Sequence, residues 1–477
     1  MDNKGATTHF DFKANVRKAL KNSQLRSNLK FAMGSMRAKR RVVFSDPEAF
    51  EALRVRGSAI RRRALLKLPE LLERLEEKCT ENGISVHWAE TTDQANRIAL
   101  GIIKDHNAVR VVKGKSMVSE EMHLNHFLAE HGIESLETDL GEFIIQLDGE
   151  TPSHIIVPAI HKNRQEIGRT FHDKIPGTPY TEVVEELNAI ARKTLRRKFY
   201  EGEVGLSGVN MAVAETGTLC LVENEGNGRM CTTVPPVHIA VMGIEKVVEK
   251  LADVPPLVRL LIGSATGQLI TTYVNMITSP RRPGEKDGPT EIHLILLDNC
   301  RSSILSDPEL RQTLQCIRCG TCLNHCPVYT RIGGHAYGFI YPGPIGKILT
   351  PQMEGLEKAG AIATASTLCN ACEEVCPVKI PIPNLIRRIR DESYDPEGSV
   401  PGHGFKRTLA ESVVWKGWEL VNRHRVLNAA STRLAGIFGP ILPRIGPLNA
   451  WTRTRTRPAF AKKSLHDMAR EEGIKND

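Results

Sequence analysis

The sequence predicts an α/β domain with a largely parallel sheet, followed by an α-helical, cysteine-rich region. Three observations carry this expectation. Short apolar runs alternate with helical patterns between about 84 and 297, strand-like runs stop beyond 300, and seven of the eleven cysteines fall between 316 and 376. These shifts divide the chain into a basic helical segment over 1–64, the α/β domain over 65–300, the cysteine-rich helical domain over 301–399 and a basic helical extension over 400–477. At 477 residues the chain exceeds what a single hydrophobic core organises.

The elements follow in order. Leu and Ala recur at helical intervals over 64–72. Apolar runs predict strands at 84–88, 109–112, 143–147, 154–157, 206–213, 218–222, 238–241 and 292–297. Helices are expected over 92–105 and from the turn Lys113-Gly114-Lys115-Ser116 to about 130. Strands this short and apolar, separated by helices, are those of a sheet buried on both faces. The stretch 257–277 is the most apolar of the chain. It contains Arg259, Gln268 and Asn275, so it reads as a buried helix and not as the ~18 uninterrupted apolar residues of a membrane span.

Composition narrows the function classes. Hydrophobic residues at 41% and charged residues at 25% describe a globular chain. No apolar stretch follows a basic start, so a cytoplasmic protein is expected. The net charge of +9 arises from 64 basic and 55 acidic residues, aromatics make up 5%, and no nucleic-acid reading motif is present. Nucleic acid is therefore not expected as a partner. Basic residues gather around 16–63 and 407–463. They suit solvated helix faces, or docking onto an acidic partner or the anionic inner face of a membrane where a quinone pool is reached. Trp415-Lys416-Gly417-Trp418 and Arg453-Thr454-Arg455-Thr456-Arg457 belong to the second region.

Cysteines in such a chain are not a disulfide framework. Cys79, Cys220, Cys231 and Cys300 are scattered and read as small buried hydrophobes. The others form two runs. Cys316, Cys319, Cys322 and Cys326-Pro327 have the spacing C-x2-C-x2-C-x3-C-P, the bacterial ferredoxin run, in which a tight loop lets three thiolates cap three irons of one [4Fe–4S] cube. Gly320 suits that loop because it tolerates positive φ. A zinc site needs only two C-x2-C pairs. Cys369, Cys372 and Cys376-Pro377 repeat the ending without the leading cysteine, whose place is taken by Ser366. In two-cluster ferredoxins the fourth cysteine of each run ligates the other cluster. That rule gives Cys316, Cys319, Cys322 and Cys376 to a first, [4Fe–4S] cluster, and Cys326, Cys369 and Cys372 to a second. The second is either [3Fe–4S], or [4Fe–4S] with Ser366, another residue such as Cys300, or water on the last iron, or it takes a ligand from a partner. The long helical insert between the runs indicates the dicluster type found in large redox complexes, a wire between a donor and an acceptor.

Gly208-Val209-Asn210-Met211-Ala212-Val213-Ala214-Glu215-Thr216-Gly217-Thr218 and Asn224-Glu225-Gly226-Asn227-Gly228-Arg229 resemble the lactate-utilisation (LUD) domain, as do 137–144 and 158–162. With the two cysteine runs and the basic extension, the chain resembles the lactate-utilisation B family from end to end. The resemblance implies a NagB/RpiA/CoA-transferase-like fold for 65–300 and a role as an iron–sulfur electron-transfer subunit of an L-lactate-oxidising dehydrogenase complex. It also implies two partners, a CCG-domain iron–sulfur subunit and a small LUD-domain subunit. Three cysteines in the second run are usual for that family, whereas Cys300 stands where a glycine is implied.

A small-molecule site in the α/β domain is expected beyond the carboxyl ends of its strands. Glu215, Asn224, Glu225, Asn227 and Arg229 lie in turns after strands, and Arg229 is the candidate for gripping a carboxylate. The alternative function is that this domain itself binds and oxidises a small hydroxy acid while the clusters drain the electrons. His161, His172, His238 and His293 are candidate bases, none paired with a carboxylate at readable spacing. The turn 113–116 lacks full phosphate-loop spacing, and no flavin or nicotinamide fingerprint is present.

Overall fold

Four helices precede the first strand: α1 (Phe12–Lys21), α2 (Ser23–Val43), α3 (Pro47–Leu66) and α4 (Leu68–Glu81). Asp11, Asn22 and Asp46 cap the first three by accepting backbone amides of the opening turn. Pro69 lacks an amide hydrogen and its ring disfavours helix just before it, so the pattern over 64–72 breaks at Lys67 into two helices. In α4, Leu68, Leu71, Leu72 and Leu75 form one buried stripe. The structure is a computed structural model and describes residues 11–114, 116–394, 409–439, 449, 452, 461 and 463–473.

The strands are β1 (Ile84–Ala89), β2 (Arg110–Gly114), β3 (Glu134–Glu137), β4 (Val204–Gly208), β5 (Met211–Val213), β6 (Thr218–Glu223), β7 (Val237–Gly243), β8 (Val247–Val248), β9 (Tyr273–Ile277) and β10 (Glu291–Leu297). Six of them make a parallel sheet in the order β1-β10-β7-β4-β2-β3. The central strands are buried on both faces, with Leu206 opposite Ile239 and Leu294 opposite Ala240. A second sheet, β8-β5-β6-β9, mixes one parallel and two antiparallel pairings. From 301 to 393 the described chain is helical and turning, with no strand.

Several expectations are corrected. Residues 143–147 belong to a helix, Leu140–Leu147, capped by Asp139, because a five-residue apolar run fits either period. Residues 154–157 form a loop in which His154 Nδ1 accepts the amides of Ile156 (3.1 Å) and Val157 (3.2 Å). The run 206–213 contributes to two strands in different sheets. Between them, Asn210 accepts the Val222 amide with its side chain at 2.8 Å. Of 257–277, the part to 265 is helix and 273–277 is β9.

The helices α1 to α3 share a hydrophobic core with the cysteine-rich region, where Leu29, Met33 and Ile60 join Leu323, Tyr329, Ile332 and Tyr337. Residues 11–393 form one unit. The described C-terminal residues form another, with helices Leu409–Arg423, Arg425–Phe438 and Leu465–Glu471. There Trp415 and Trp418 meet edge to face at 5.9 Å and are exposed, as are Val413, Val426, Leu434 and Ile437. Arg453 to Arg457 lie outside the described residues. No helix among the described residues is long and apolar enough to cross a membrane.

Candidate iron–sulfur centre and adjoining cleft

The first cysteine loop is shaped by its backbone. Arg318 and Gly320 both take left-handed conformations (φ +59° and +69°), folding the chain so that three thiols converge. A side chain at Gly320 would also stand only 3.0 Å from the His154 ring, so backbone conformation and space both favour glycine there. The helix Thr321–His325 carries Cys322 and leads into Cys326. Cys316, Cys319 and Cys322 line one small cavity together with Cys376 from the second run. Backbone amides approach these sulfurs: Arg318 N lies 3.4 Å from Cys316 Sγ, and Ile380 N lies 3.3 Å from Cys376 Sγ. Cys326, Cys369 and Cys372 stand elsewhere. Cys326, Lys347 and Cys369 all lie close enough to Cys372 to act on its thiol electrostatically, Cys326 most strongly. Cys369 is exposed, whereas Cys326 and Cys372 are buried.

Burial, with other thiols close by, pushes the Cys319, Cys322, Cys372 and Cys376 thiols up, Cys376 to about 11 and Cys372 to about 12. Thiolates in such proximity, most of them buried, need a polycationic centre, and seven sulfur donors suit iron. The surroundings fit an anionic cluster as well. Lys347 is buried without a carboxylate partner among the described residues, its Nζ 3.7 Å from Cys326 Sγ and 5.5 Å above the Tyr337 ring. Beside Cys316 sit Arg61, Arg318 and Lys246, all buried, against the single carboxylate of Glu245. Glu245 is fully buried, yet Arg301 and Arg318 hold it down at about 2. Arg61 spends its guanidinium on the carbonyls of Glu245, Val247 (3.0 Å), Leu314 (3.0 Å) and Gln315 (3.3 Å).

A cleft of about 460 Å³ opens at the carboxyl ends of β2, β4 and β7, lined by Asp139, Glu142, Asn210, Lys246 and Arg318 among others. Arg318 stands between Cys316 and Cys319, so the cleft borders the first cysteine loop directly. Its Nη2 bonds Glu245 (3.2 Å), its plane lies over Tyr341 (4.9 Å), and its Nη1 is buried without a partner. Burial and Arg318 bring Lys246 down to about 7. Burial, with Glu137 and Asp139 nearby, raises Glu142 well above the carboxylate range, and one of its oxygens is also unpartnered.

Of the five turn residues singled out in the sequence, Asn224 and Glu225 line this cleft. Glu215 instead accepts the Leu251 amide (2.9 Å), and Asn227 is buried with both side-chain polar atoms unpaired. Arg229 lies over Tyr273 (5.9 Å). The histidines are engaged elsewhere. His161 pairs with Glu150 (2.6 Å), a partner eleven residues away that spacing did not disclose. His172 meets the Thr178 carbonyl (2.8 Å), His238 meets Ser207 (2.8 Å) within the sheet, and His293 meets His87 (3.1 Å). Sequence reasoning missed Arg318, Lys246, Glu245 and Lys347. Each is one charge among many, and only the placement of distant segments shows that it is buried.

Residues 72–297 match the LUD domain family, 312–380 the 4Fe-4S dicluster domain, and 388–474 the C-terminal region of lactate utilisation protein B. The electron transport protein YkgF of Escherichia coli (strain K12) is 40% identical over 459 residues, covering 95% of this chain and 94% of that protein. Lactate utilization protein B of Bacillus licheniformis is 40% identical over 464 residues, 96% of this chain and 95% of its own. That of Bacillus cereus (strain AH187) is 42% identical over 425 residues, 88% of each chain. An α/β domain with a parallel sheet, a helical region with two ferredoxin-type runs and relatives of this identity along nearly the whole length lead to one conclusion: the chain belongs to the lactate utilisation protein B family.

Proposed function

We propose that this chain is the iron–sulfur electron-transfer subunit of a multi-subunit system that oxidises L-lactate to pyruvate. In this reading Cys316, Cys319, Cys322 and Cys376 hold a [4Fe–4S] cluster. Cys326, Cys369 and Cys372 hold a second, either [4Fe–4S] with a non-cysteine ligand or [3Fe–4S]. The observation that carries the reading is the single cavity lined by three thiols of the first run and the last thiol of the second. Bound clusters of this kind accept and release one electron at a time. Oxidation of lactate to pyruvate releases two electrons and two protons, and two such centres match that count.

The arrangement of residues supports a direction of flow. Arg318 joins the Cys316 loop to the cleft, whereas Cys369 and its neighbours Leu368 and Asn370 face solvent. The buried end is the side of the substrate or its donor, and the exposed end is where a partner approaches. The CCG-domain iron–sulfur subunit and the small LUD-domain subunit are the partners this reading names. The exposed Trp415 and Trp418 suit docking of a cytoplasmic protein onto such a partner or onto the inner membrane face near a quinone pool.

The test is low-temperature EPR with iron and sulfide counts on anaerobically purified protein, before and after L-lactate, alone and with the two partner subunits. Two clusters reduced by lactate only in the presence of the partners are expected. Absence of either cluster, or no reduction in the assembled system, refutes the reading.

A second reading is favoured by the cleft itself. Arg318 with its unpartnered nitrogen and Lys246 offer two cationic donors for a carboxylate, and Glu142 with its raised pKa offers a hydroxyl-type donor. Under it, this chain binds the hydroxy acid. Calorimetry of the full chain with L-lactate then gives saturable binding that Lys246→Met weakens at least tenfold. Equal binding by the two proteins, or none by either, removes this reading.

A further inference from the structure

The two cysteine runs correspond position by position, and the correspondence extends to Ser366. Cys316-Ile317-Arg318-Cys319-Gly320-Thr321-Cys322 aligns with Ser366-Thr367-Leu368-Cys369-Asn370-Ala371-Cys372. In the first loop, left-handed residues stand on both sides of the middle cysteine. The second repeats this with Leu368 at φ +54° and Asn370 at φ +63°. In the first loop the Arg318 amide donates to Cys316 Sγ at 3.4 Å. In the second the Leu368 amide donates to Ser366 Oγ at 3.2 Å. Each loop then enters a short helix, Thr321–His325 or Ala371–Glu374.

This match is not forced by local preference. A leucine avoids the left-handed region because its Cβ crowds the carbonyl oxygen, so Leu368 adopts it only where the surroundings impose the shape. Arg390 supplies part of that restraint from behind, donating to the carbonyls of Ala363 (2.8 Å), Thr364 (3.1 Å) and Ser366 (2.6 Å). The backbone of Ser366 is thereby fixed, and its Oγ is presented as Cys316 Sγ is, with one amide donor and lone pairs to spare.

We propose that Ser366 is the fourth protein ligand of the second cluster, its Oγ holding the iron that no cysteine reaches. The proposal rests on the reading that Cys326, Cys369 and Cys372 hold that cluster. Ligation forms an iron–oxygen bond and breaks the hydroxyl O–H bond. The proton passes to solvent, which reaches this exposed loop, and no electron changes hands. Oxygen is a harder donor than sulfur and favours the more oxidised iron, so the second centre has a lower potential than a four-cysteine equivalent.

The test compares full-length, anaerobically purified wild type with Ser366→Ala and Ser366→Cys, by iron and sulfide content, EPR, Mössbauer spectra and redox titration. The wild type is expected to hold about eight irons per chain. Ser366→Ala is expected to hold about seven, with the EPR signal of an oxidised three-iron cluster, and Ser366→Cys about eight, with a raised potential for one centre. Ser366→Ala with iron content and spectra equal to the wild type overturns the proposal while leaving the second cluster in place. About four irons in the wild type overturns the two-cluster reading beneath it. Should Ser366→Ala fail to fold, Ser366→Cys decides: a spectrum and potential identical to the wild type also overturn the proposal.

Discussion

Cys300 takes a left-handed backbone conformation, φ +69°, directly after Asn299 at +41°. A non-glycine residue there costs about 1–2 kcal/mol, and glycine's greater freedom in the unfolded chain returns about 0.5–1 kcal/mol of that. The thiol itself makes only a long contact to the Met353 carbonyl, 3.8 Å. Cys300→Gly is therefore expected to stabilise the protein by up to about 1 kcal/mol, read as a higher urea midpoint at unchanged slope. A lower midpoint would show that the thiol contributes more than its backbone strain removes. The glycine that family resemblance implied at this position thus has a backbone reason.

Among the elements, β7 shows how a titratable group is tolerated inside a sheet. His238 is fully buried, bonded to Ser207 of β4, and burial with His293 nearby lowers it from 6.5 to about 4. Such a base is neutral in the folded protein, whereas the unfolded chain takes up its proton at about 6.5. The stability it permits is complete above that pH and falls as the pH drops from about 6.5 toward about 4. The loss is on the order of 2 kcal/mol at pH 5. His238→Gln keeps a polar partner for Ser207 without titrating in this window. Urea midpoints at pH 7 and pH 5 are expected to differ less in this variant than in the wild type, and an equal difference would mean that His238 is not the group responsible. Elements were legible where length and period agreed, as in α4 and β10. They were not where a short apolar run fits both periods, as at 143–147, or where the chain changes sheets within one run, as at 206–213.

Across the whole molecule, the cysteine runs are brought together by parts of the chain far from them. Arg40 and Arg54, from the basic N-terminal helices, donate to carbonyls of the second run at Val375 (3.2 Å), Cys376 (2.9 Å) and Glu373 (3.1 Å). Part of the basic charge at 16–63 is thus turned inward onto the cysteine loops instead of facing solvent or a partner. The crossed ligand assignment proposed for the two clusters has a direct consequence. Cys376→Ala is expected to disturb the EPR signal of the cluster held by the first run, and Cys326→Ala that of the other. If each variant affects the cluster of its own run, the crossed ligand assignment is wrong.

What the sequence by itself determined is the chemistry that depends on local spacing. Two ferredoxin-type runs, a glycine where the loop turns left-handed, and alternating apolar runs that make a buried parallel sheet are all encoded within a few residues of one another. Spacing also groups Cys376 with Cys316, Cys319 and Cys322, and these four line one cavity. Only the tertiary structure decided which charges are buried. Arg61, Arg301, Arg318, Lys246 and Glu245 meet from α3, the segment after β10, the first cysteine loop and the end of β7. Their importance arises from desolvation, which strengthens every charge interaction but depends on three-dimensional packing, and no local pattern of residues reports it.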